Sequence, residues 1–198
     1  DGYLCVNVDF FGVDSVDETA RRIARGLARG IHRRQSLLDK GKRYLSAFRA
    51  FRPVLRPNQE SGFEVSIERV GDSPDGRTLL DDTLQDMARF IEERHFPCHF
   101  VFDEFQEVTR LKESSLIEGL MRGTIQGLPA SFVFAGSRRG VLKAMFEERS
   151  RPFFQSAVFM ELPPLPLTDA ARFVVEQFQA NGKDLSLELA TDLVTSVQ

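Results

Sequence analysis

The stretch His99-Phe100-Val101-Phe102-Asp103-Glu104-Phe105-Gln106 decides the fold of this chain. Its mostly apolar first half predicts a buried central β-strand, and the carboxylates of Asp103 and Glu104 follow at the carboxyl end of that strand. Open α/β sheets bind ligands at this end of their strands. Adjacent Asp and Glu side chains point in different directions, so Asp103 can hold a hydrated Mg²⁺ while Glu104 orients or deprotonates a water molecule. The alternative is an ordinary acidic loop after a buried strand.

Three further apolar runs have the character of strands, and they span Tyr3–Asp9, Ser131–Ala135 and Ala157–Leu162. Continuous apolar runs are typical of strands that are covered on both faces. Helical patterns separate the runs, so their order predicts a parallel sheet with right-handed crossovers and flanking helices. A proline cluster at residues 163–166 is followed by helical patterns alone. We therefore expect an α/β core over residues 1–162 and the beginning of a small helical unit over residues 163–198.

The region between the first two runs of the sheet predicts helices and one extra strand. A capping box at Ser15–Glu18 opens a helix whose apolar stripe contains Ile23, Leu27 and Ile31. Four arginines fall off this stripe and are expected to face solvent: Arg21, Arg22, Arg25 and Arg29. The pattern from Tyr44 to Phe51 continues as a helix until the prolines at positions 53 and 57, and Phe63–Glu68 alternates like a half-exposed strand.

Composition and charge exclude several classes of protein. The chain has 198 residues, 42% of them apolar, with a net charge of −3, so it is not a generally basic nucleic-acid binder. No run has the length of a membrane span and no signal peptide is visible. Two cysteines are too few for a disulfide scaffold, which favours a cytoplasmic protein.

The net charge hides an uneven distribution along the chain. Residues 19–59 carry twelve Lys or Arg and one Asp, whereas residues 60–118 carry fifteen acids and six bases. A basic helix face exposed to solvent explains the first region, and a patch that binds a polyanion is the alternative.

A second group of polar residues follows the run at 131–135, in the sequence Ala135-Gly136-Ser137-Arg138-Arg139. In a parallel sheet this strand end lies at the same edge as Asp103 and Glu104. The Ser137 hydroxyl could bind a phosphate or the attacking water there, and Arg138 brings a guanidinium. A plain turn is the alternative interpretation.

Taken together, the segments VFDEFQEV, FVFAGSRRGVLKAMFEERSRPFF and AVFMELPPLPLTDAARFVVEQF resemble the archaeal-type ATPase family of the AAA+/STAND division of P-loop NTPases. The resemblance implies a Walker B role in magnesium binding for Asp103, a water-polarising role for Glu104 and a sensor-1 role for Ser137. The family often has an arginine before its fifth strand, where this chain has Ser156, so Arg151 or Arg149 could substitute. The resemblance also implies MgATP as ligand, a helical lid and the strand order 5-1-4-3-2.

Two departures from the family bear on activity. The phosphate-binding Walker A motif GxxxxGK[ST] does not occur in the 198 residues, and the nearest stretch, Asp39–Lys42, lacks its first Gly and its Ser or Thr. A sensor-2 segment would be expected beyond Gln198. Because the chain opens in a strand-like run and stops within a helical pattern, we interpret it as an internal piece of a longer protein. Because the Walker A motif is missing, we expect no ATP hydrolysis by this piece alone.

The strand that feeds the Walker A loop would lie between the strands at 131–135 and 157–162. Three arrangements could close that gap: the fifth strand moves over, another chain donates a strand, or upstream residues supply it. We favour the third. A chain that stands alone would expose a sheet edge and self-associate.

The sequence thus predicts the core of an ATPase that couples MgATP hydrolysis to a conformational switch. Two alternatives stay open: a non-catalytic nucleic-acid-binding module that uses residues 21–56, and a protein-interaction scaffold whose nucleotide site has decayed.

Overall fold

The structure is a computed structural model that describes residues 2–34, 50–58, 62–71, 75–93 and 97–197. The chain divides into two compact units, Asp1–Ala157 and Val158–Gln198. The described elements of the first unit are, in chain order, β1 (Leu4–Asp9), α1 (Val16–Arg34), β2 (Phe51–Asn58), β3 (Gly62–Arg69), α2 (Gly76–Glu92), β4 (Cys98–Asp103), a 3₁₀ helix (Phe105–Arg110), α3 (Ser114–Ile125), β5 (Ala130–Phe134) and α4 (Arg139–Glu147). The second unit contains α5 (Leu167–Ala180) and α6 (Leu187–Ser196).

Three parallel strands form the central sheet, in the order β1-β4-β5. The register aligns Val6 with Phe100 and Phe100 with Phe132, so apolar residues of all three strands share one face. The predicted α/β class, with a parallel sheet and flanking helices, is confirmed. The three strands are also neighbours in the order expected for the second, third and fourth strands of the family pattern.

The prediction of a fifth strand at 157–162 is wrong. These residues belong to the described part of the chain but form no strand, and Val158, Met160 and Leu162 are 100%, 83% and 75% exposed. A strand is stable only where a neighbour accepts its backbone hydrogen bonds. Among the described residues, no strand lies on the side of β5 away from β4. The described residues therefore do not form the full order 5-1-4-3-2.

The prediction that a helix continues to Phe51 is also wrong for the residues that the structure describes. Residues Phe51–Asn58 form β2, which pairs antiparallel with β3. The prolines at 53 and 57 have no N–H, yet they have the same parity in the strand, so both missing donors can point away from β3. Residues 35–49, which include Tyr44 and Asp39–Lys42, lie outside the described residues.

Helix α1 covers one face of the sheet as its apolar stripe predicts. Ile23, Leu27 and Ile31 are at most 3% exposed. The helix lies so close to β1 that a Cβ added at Gly26 would come within 2.7 Å of Val8 Cγ2 and 2.8 Å of the Asn7 carbonyl oxygen. Glycine at this position therefore sets the distance between helix and strand.

The four arginines of α1 behave less uniformly than expected. Arg21 and Arg29 are exposed, whereas Arg22 and Arg25 are half-buried. The Arg22 Nη1 group donates hydrogen bonds of 2.8 Å to the carbonyl oxygens of Asp9 and Phe11. Arg22 therefore closes the loop after β1 instead of facing solvent.

The opposite face of the sheet is less covered than the apolar strands predict. In β1 the residues alternate between buried and exposed, and Cys5 and Asn7 are exposed. Val101 of β4 is half-buried, and Val133 of β5 is 51% exposed. Within the described residues, the core therefore lies mainly on the α1 side of the sheet.

Candidate functional site

The site begins where the chain leaves β4. Glu104 has a φ of 50°, in the left-handed region that non-glycine residues rarely adopt. This conformation turns the chain sharply, so that the Phe105 N–H donates to the Ala135 carbonyl at 3.1 Å and a 3₁₀ helix follows at once. Strained backbone of this kind clusters at functional sites. The turn holds Glu104 at the carboxyl end of the sheet, beside the end of β5.

Two side chains hold the Glu104 carboxylate. Gln106 Nε2 and Ser137 Oγ both donate hydrogen bonds to Glu104 Oε2, the second at 3.0 Å. These hydrogen bonds, the one from Gln106 first, hold the pKa of the Glu104 carboxyl below its usual range. Glu104 is therefore a carboxylate at neutral pH, able to accept a proton or a hydrogen bond from water.

Asp103 lies at the last position of β4, directly beside Asp9 of β1 in the sheet register. Its Oδ1 atom accepts a hydrogen bond of 3.0 Å from the Glu104 N–H, which orients the half-buried carboxylate. Hard divalent cations such as Mg²⁺ take one or two protein carboxylates and fill the remaining positions with water and phosphate oxygens. Asp103 has the chemistry for such a role. Among the described residues, no three His, Cys, Asp or Glu side chains converge as a metal-binding group.

The structure thus brings together Asp103, Glu104 and Ser137, which the sequence predicts from strand order alone. Arg138 comes next to Ser137 as the N-cap residue of α4, with an exposed side chain. Arg151 is placed differently, because its Nη2 atom forms an ion pair of 2.6 Å with the buried Glu118 of α3. The structure therefore engages Arg151 with α3 and does not join it to the Glu104 carboxylate.

A cluster of phenylalanine rings packs around Phe105, the residue that follows Glu104. The fully buried Phe105 ring lies 4.8 Å from Phe134, 5.4 Å from Phe10 and 5.7 Å from Phe153, measured between ring centroids. These rings belong to the core of the first unit. Phe159, by contrast, is 47% exposed.

Sequence reasoning missed two residues of the site, Gln106 and Gly136. Gln106 is fully buried, and the space beside its amide is left open by Gly136. The sequence contains part of the signal for Gln106, because this neutral polar residue stands three positions after Asp103 in a stretch that is otherwise apolar or acidic. Sequence alone did not reveal that a 3₁₀ helix folds its side chain back onto Glu104.

No protein-family model and no curated protein matches this chain. None of the described helices is both long enough and apolar enough to cross a membrane.

Proposed function

We propose that this chain carries the carboxylate half of a site for metal-assisted hydrolysis of ATP, as its resemblance to the archaeal-type ATPases implies. The observation that carries the proposal is the Glu104 carboxylate, held in a strained turn by the hydroxyl of Ser137 from the neighbouring strand end. A hydroxyl and a carboxylate that meet at the carboxyl edge of a parallel sheet are suited to position a water for in-line attack on a phosphate.

Each residue has a distinct part in the proposed reaction. Glu104 accepts a hydrogen bond from the attacking water and orients it, since its lowered pKa keeps it ionised. Ser137 fixes that carboxylate and can turn its hydroxyl toward the transferred phosphate. Arg138, exposed at the start of α4, offers positive charge to the phosphates.

Asp103 is the residue that would hold Mg²⁺, through water, and the metal would neutralise charge on the phosphates when bound. The donor set fits this role, because one oxygen of Asp103 is occupied by the Glu104 N–H and the described residues present no hydrogen-bond donor to the other. The residues that cradle the β- and γ-phosphates are not supplied by a Walker A motif of this sequence. Hydrolysis therefore requires a phosphate loop from a longer polypeptide or from a partner.

The test is carried out on a protein that contains this chain together with such a loop. We expect Glu104→Gln to bind ATP like the parent but to lose hydrolysis by 10²-fold or more, on the order of what a general base contributes. Glu113→Gln is the matched control, because Glu113 is an exposed carboxylate at the start of α3. Equal hydrolysis by Glu104→Gln and the parent would reject the proposal.

A second candidate function, binding of a polyanion such as nucleic acid, is favoured by a cleft between β1 and α1. The cleft has a volume of about 190 Å³ and is lined by Asn7, Asp9, Arg22, Arg25 and Arg29 together with Val8 and Gly26. Arg22 is engaged with backbone carbonyls, which leaves Arg25 as the half-buried guanidinium that faces the cleft. Asp9 in the same cleft opposes an anion.

The two candidates separate in a measurement of DNA binding at several salt concentrations. A polyanion site gives a steep fall of affinity with salt, and Arg21→Glu with Arg25→Glu abolishes it. If the basic face binds nothing, this double variant leaves nucleic-acid affinity at background and changes the free energy of unfolding by about 0.5 kcal/mol or less.

A further inference from the structure

The side chain of Gln106 occupies an unusual position for a polar group. It is fully buried, and its Nε2 atom donates a hydrogen bond to Glu104 Oε2. Its Oε1 atom is also buried and has no hydrogen-bond partner among the described residues. A buried carbonyl without a donor is unfavourable, because it loses its hydrogen bonds to water. The reverse orientation of the amide would place this carbonyl against the carboxylate, so the contact with Glu104 fixes the amide as it stands.

Gly136 makes this position possible. A Cβ built on Gly136 would overlap Gln106 Oε1 and come within 2.9 Å of its Cδ. Gly136 does not have a positive φ, so its backbone conformation is open to other residues. The need for glycine therefore comes from the space that the Gln106 amide fills, and not from the turn after β5.

Two side-chain donors anchor one oxygen of the Glu104 carboxylate. Gln106 and Ser137 reach Oε2 from two different elements, the 3₁₀ helix and the end of β5. Two hydrogen bonds on a single oxygen restrict rotation of the carboxylate.

We propose that Gln106 is a positioning residue for Glu104, and that Gly136 is required so that the Gln106 amide can reach the carboxylate. The consequence of this positioning for hydrolysis rests on the proposed function, whereas the positioning itself is a property of the ligand-free protein. Gln106 does not meet the phosphate or the water. It acts by holding Glu104 in one orientation, and a small error in that orientation lowers a rate by up to about 100-fold.

The first experiment records the carboxyl-carbon resonance of Glu104 by NMR at one neutral pH in the 198-residue chain, with the resonance identified by its loss in Glu104→Gln. The chemical shift of a carboxylate carbon responds to the hydrogen bonds that its oxygens accept, so the resonance reports the contact directly. Gln106→Met, which keeps the volume and removes the donor, should shift this resonance. Gly136→Ala should shift it in the same direction by displacing the amide.

The two sites should depend on each other. In a Gln106→Ala background there is no amide to displace, so Gly136→Ala should leave the Glu104 resonance where Gln106→Ala alone puts it. Gly140→Ala is the matched control, because a Cβ there meets nothing within 4 Å and should leave the resonance at its parent position. If Gln106→Met prevents folding, Gly136→Ala carries the test.

A Glu104 resonance that stays at the parent position in both Gln106→Met and Gly136→Ala would overturn the proposal whether or not the protein hydrolyses ATP. In a hydrolysing protein with the phosphate loop, Gln106→Met should lower kcat by roughly tenfold to 100-fold and leave ATP affinity unchanged. Failure of hydrolysis in the parent itself would reject the proposed function and leave the NMR result to decide the positioning role.

Discussion

Glu118 of α3 and Arg151, which follows α4, form an ion pair of 2.6 Å in which the Glu118 side chain is fully buried and the Arg151 side chain is 21% exposed. The contact lacks hydrogen-bond alignment, and neither carboxylate oxygen of Glu118 receives a hydrogen bond from the described residues. A charge taken out of water with one partner and no hydrogen bonds is poorly compensated.

Burial of Glu118 raises its pKa from an ordinary 4.5 to about 7, opposed by Arg151 and aided by Glu148. Because the folded pKa lies above the unfolded one, the folded protein holds a proton that the unfolded chain releases. The resulting stabilisation is complete below pH 4.5 and is lost as pH rises through 7. It corresponds to about 3 kcal/mol of unfolding free energy.

We therefore measure the free energy of unfolding in urea between pH 4 and pH 8. Relative to Glu118→Gln, the parent should lose stability as pH rises, over roughly the interval between the two pKa values. Glu113→Gln, an exposed carboxylate of the same region, should track the parent. Parallel curves for the parent and Glu118→Gln would contradict the assignment.

The packing of α1 on β1 predicts opposite effects of the same substitution at two glycines. Gly26→Ala should lower the free energy of unfolding by about 1–3 kcal/mol, because the new methyl group has to displace Val8 or the backbone at Asn7. Gly119→Ala in α3 meets nothing within 4 Å and should raise it by about 1 kcal/mol through helix propensity. Chemical denaturation of both variants checks the difference, and equal effects would show that α1 is not in close contact with the strand.

Arg122 of α3 should anchor the segment after α4. Its Nη1 atom donates to the carbonyl oxygens of Pro152 at 2.6 Å and Phe154 at 2.9 Å. We expect Arg122→Met to cost about 1–3 kcal/mol and to speed hydrogen exchange at the Gln155 N–H, which bonds to the Phe146 carbonyl.

The control for Arg122 is Arg110→Met, because Arg110 is 66% exposed and pairs only with Glu107 of its own helical turn among its described contacts. This surface pair should contribute at most about 1 kcal/mol and leave exchange at Gln155 unchanged. Unaltered exchange in Arg122→Met would mean that other contacts hold the segment.

The free side of β5 should make the chain self-associate. No strand lies beside it among the described residues, and Val133 is 51% exposed. Val133→Lys should shift sedimentation toward monomer, whereas Val70→Lys, at another exposed valine, should not. A parent that stays monomeric at high concentration would contradict this expectation.

Sequence patterns were sufficient for the parts of the fold that one local property determines. The apolar run before Asp103 defined β4, and the parallel order then placed Ser137 beside Glu104. Both steps rely on the hydrophobic pattern of strands and on the common polarity of parallel strand ends.

The remaining features depend on partners that a local pattern does not contain. The apolar pattern at 157–162 predicts a strand, yet these residues form none, since an apolar pattern does not specify backbone pairing. Phe51 ends a helical pattern in the sequence, but in the structure it begins β2, because pairing with β3 outweighs that pattern. The left-handed turn at Glu104 and the approach of Gln106 to Gly136 arise from tertiary contacts, which is why Gln106 escaped sequence analysis.

The burial of Phe105 directly after Glu104 has a consequence for how the site can move. Because Phe105 follows Glu104 directly, a backbone change at Glu104 has to move the Phe105 ring relative to Phe134 and Phe153. The centroids of these two rings lie 4.8 and 5.7 Å from that of Phe105. Tightly packed rings resist gradual displacement and exchange between discrete arrangements instead. We therefore expect Glu104 to occupy a small number of discrete conformations. Transitions between them should appear in relaxation-dispersion spectra as slow, all-or-none exchange shared by these three rings.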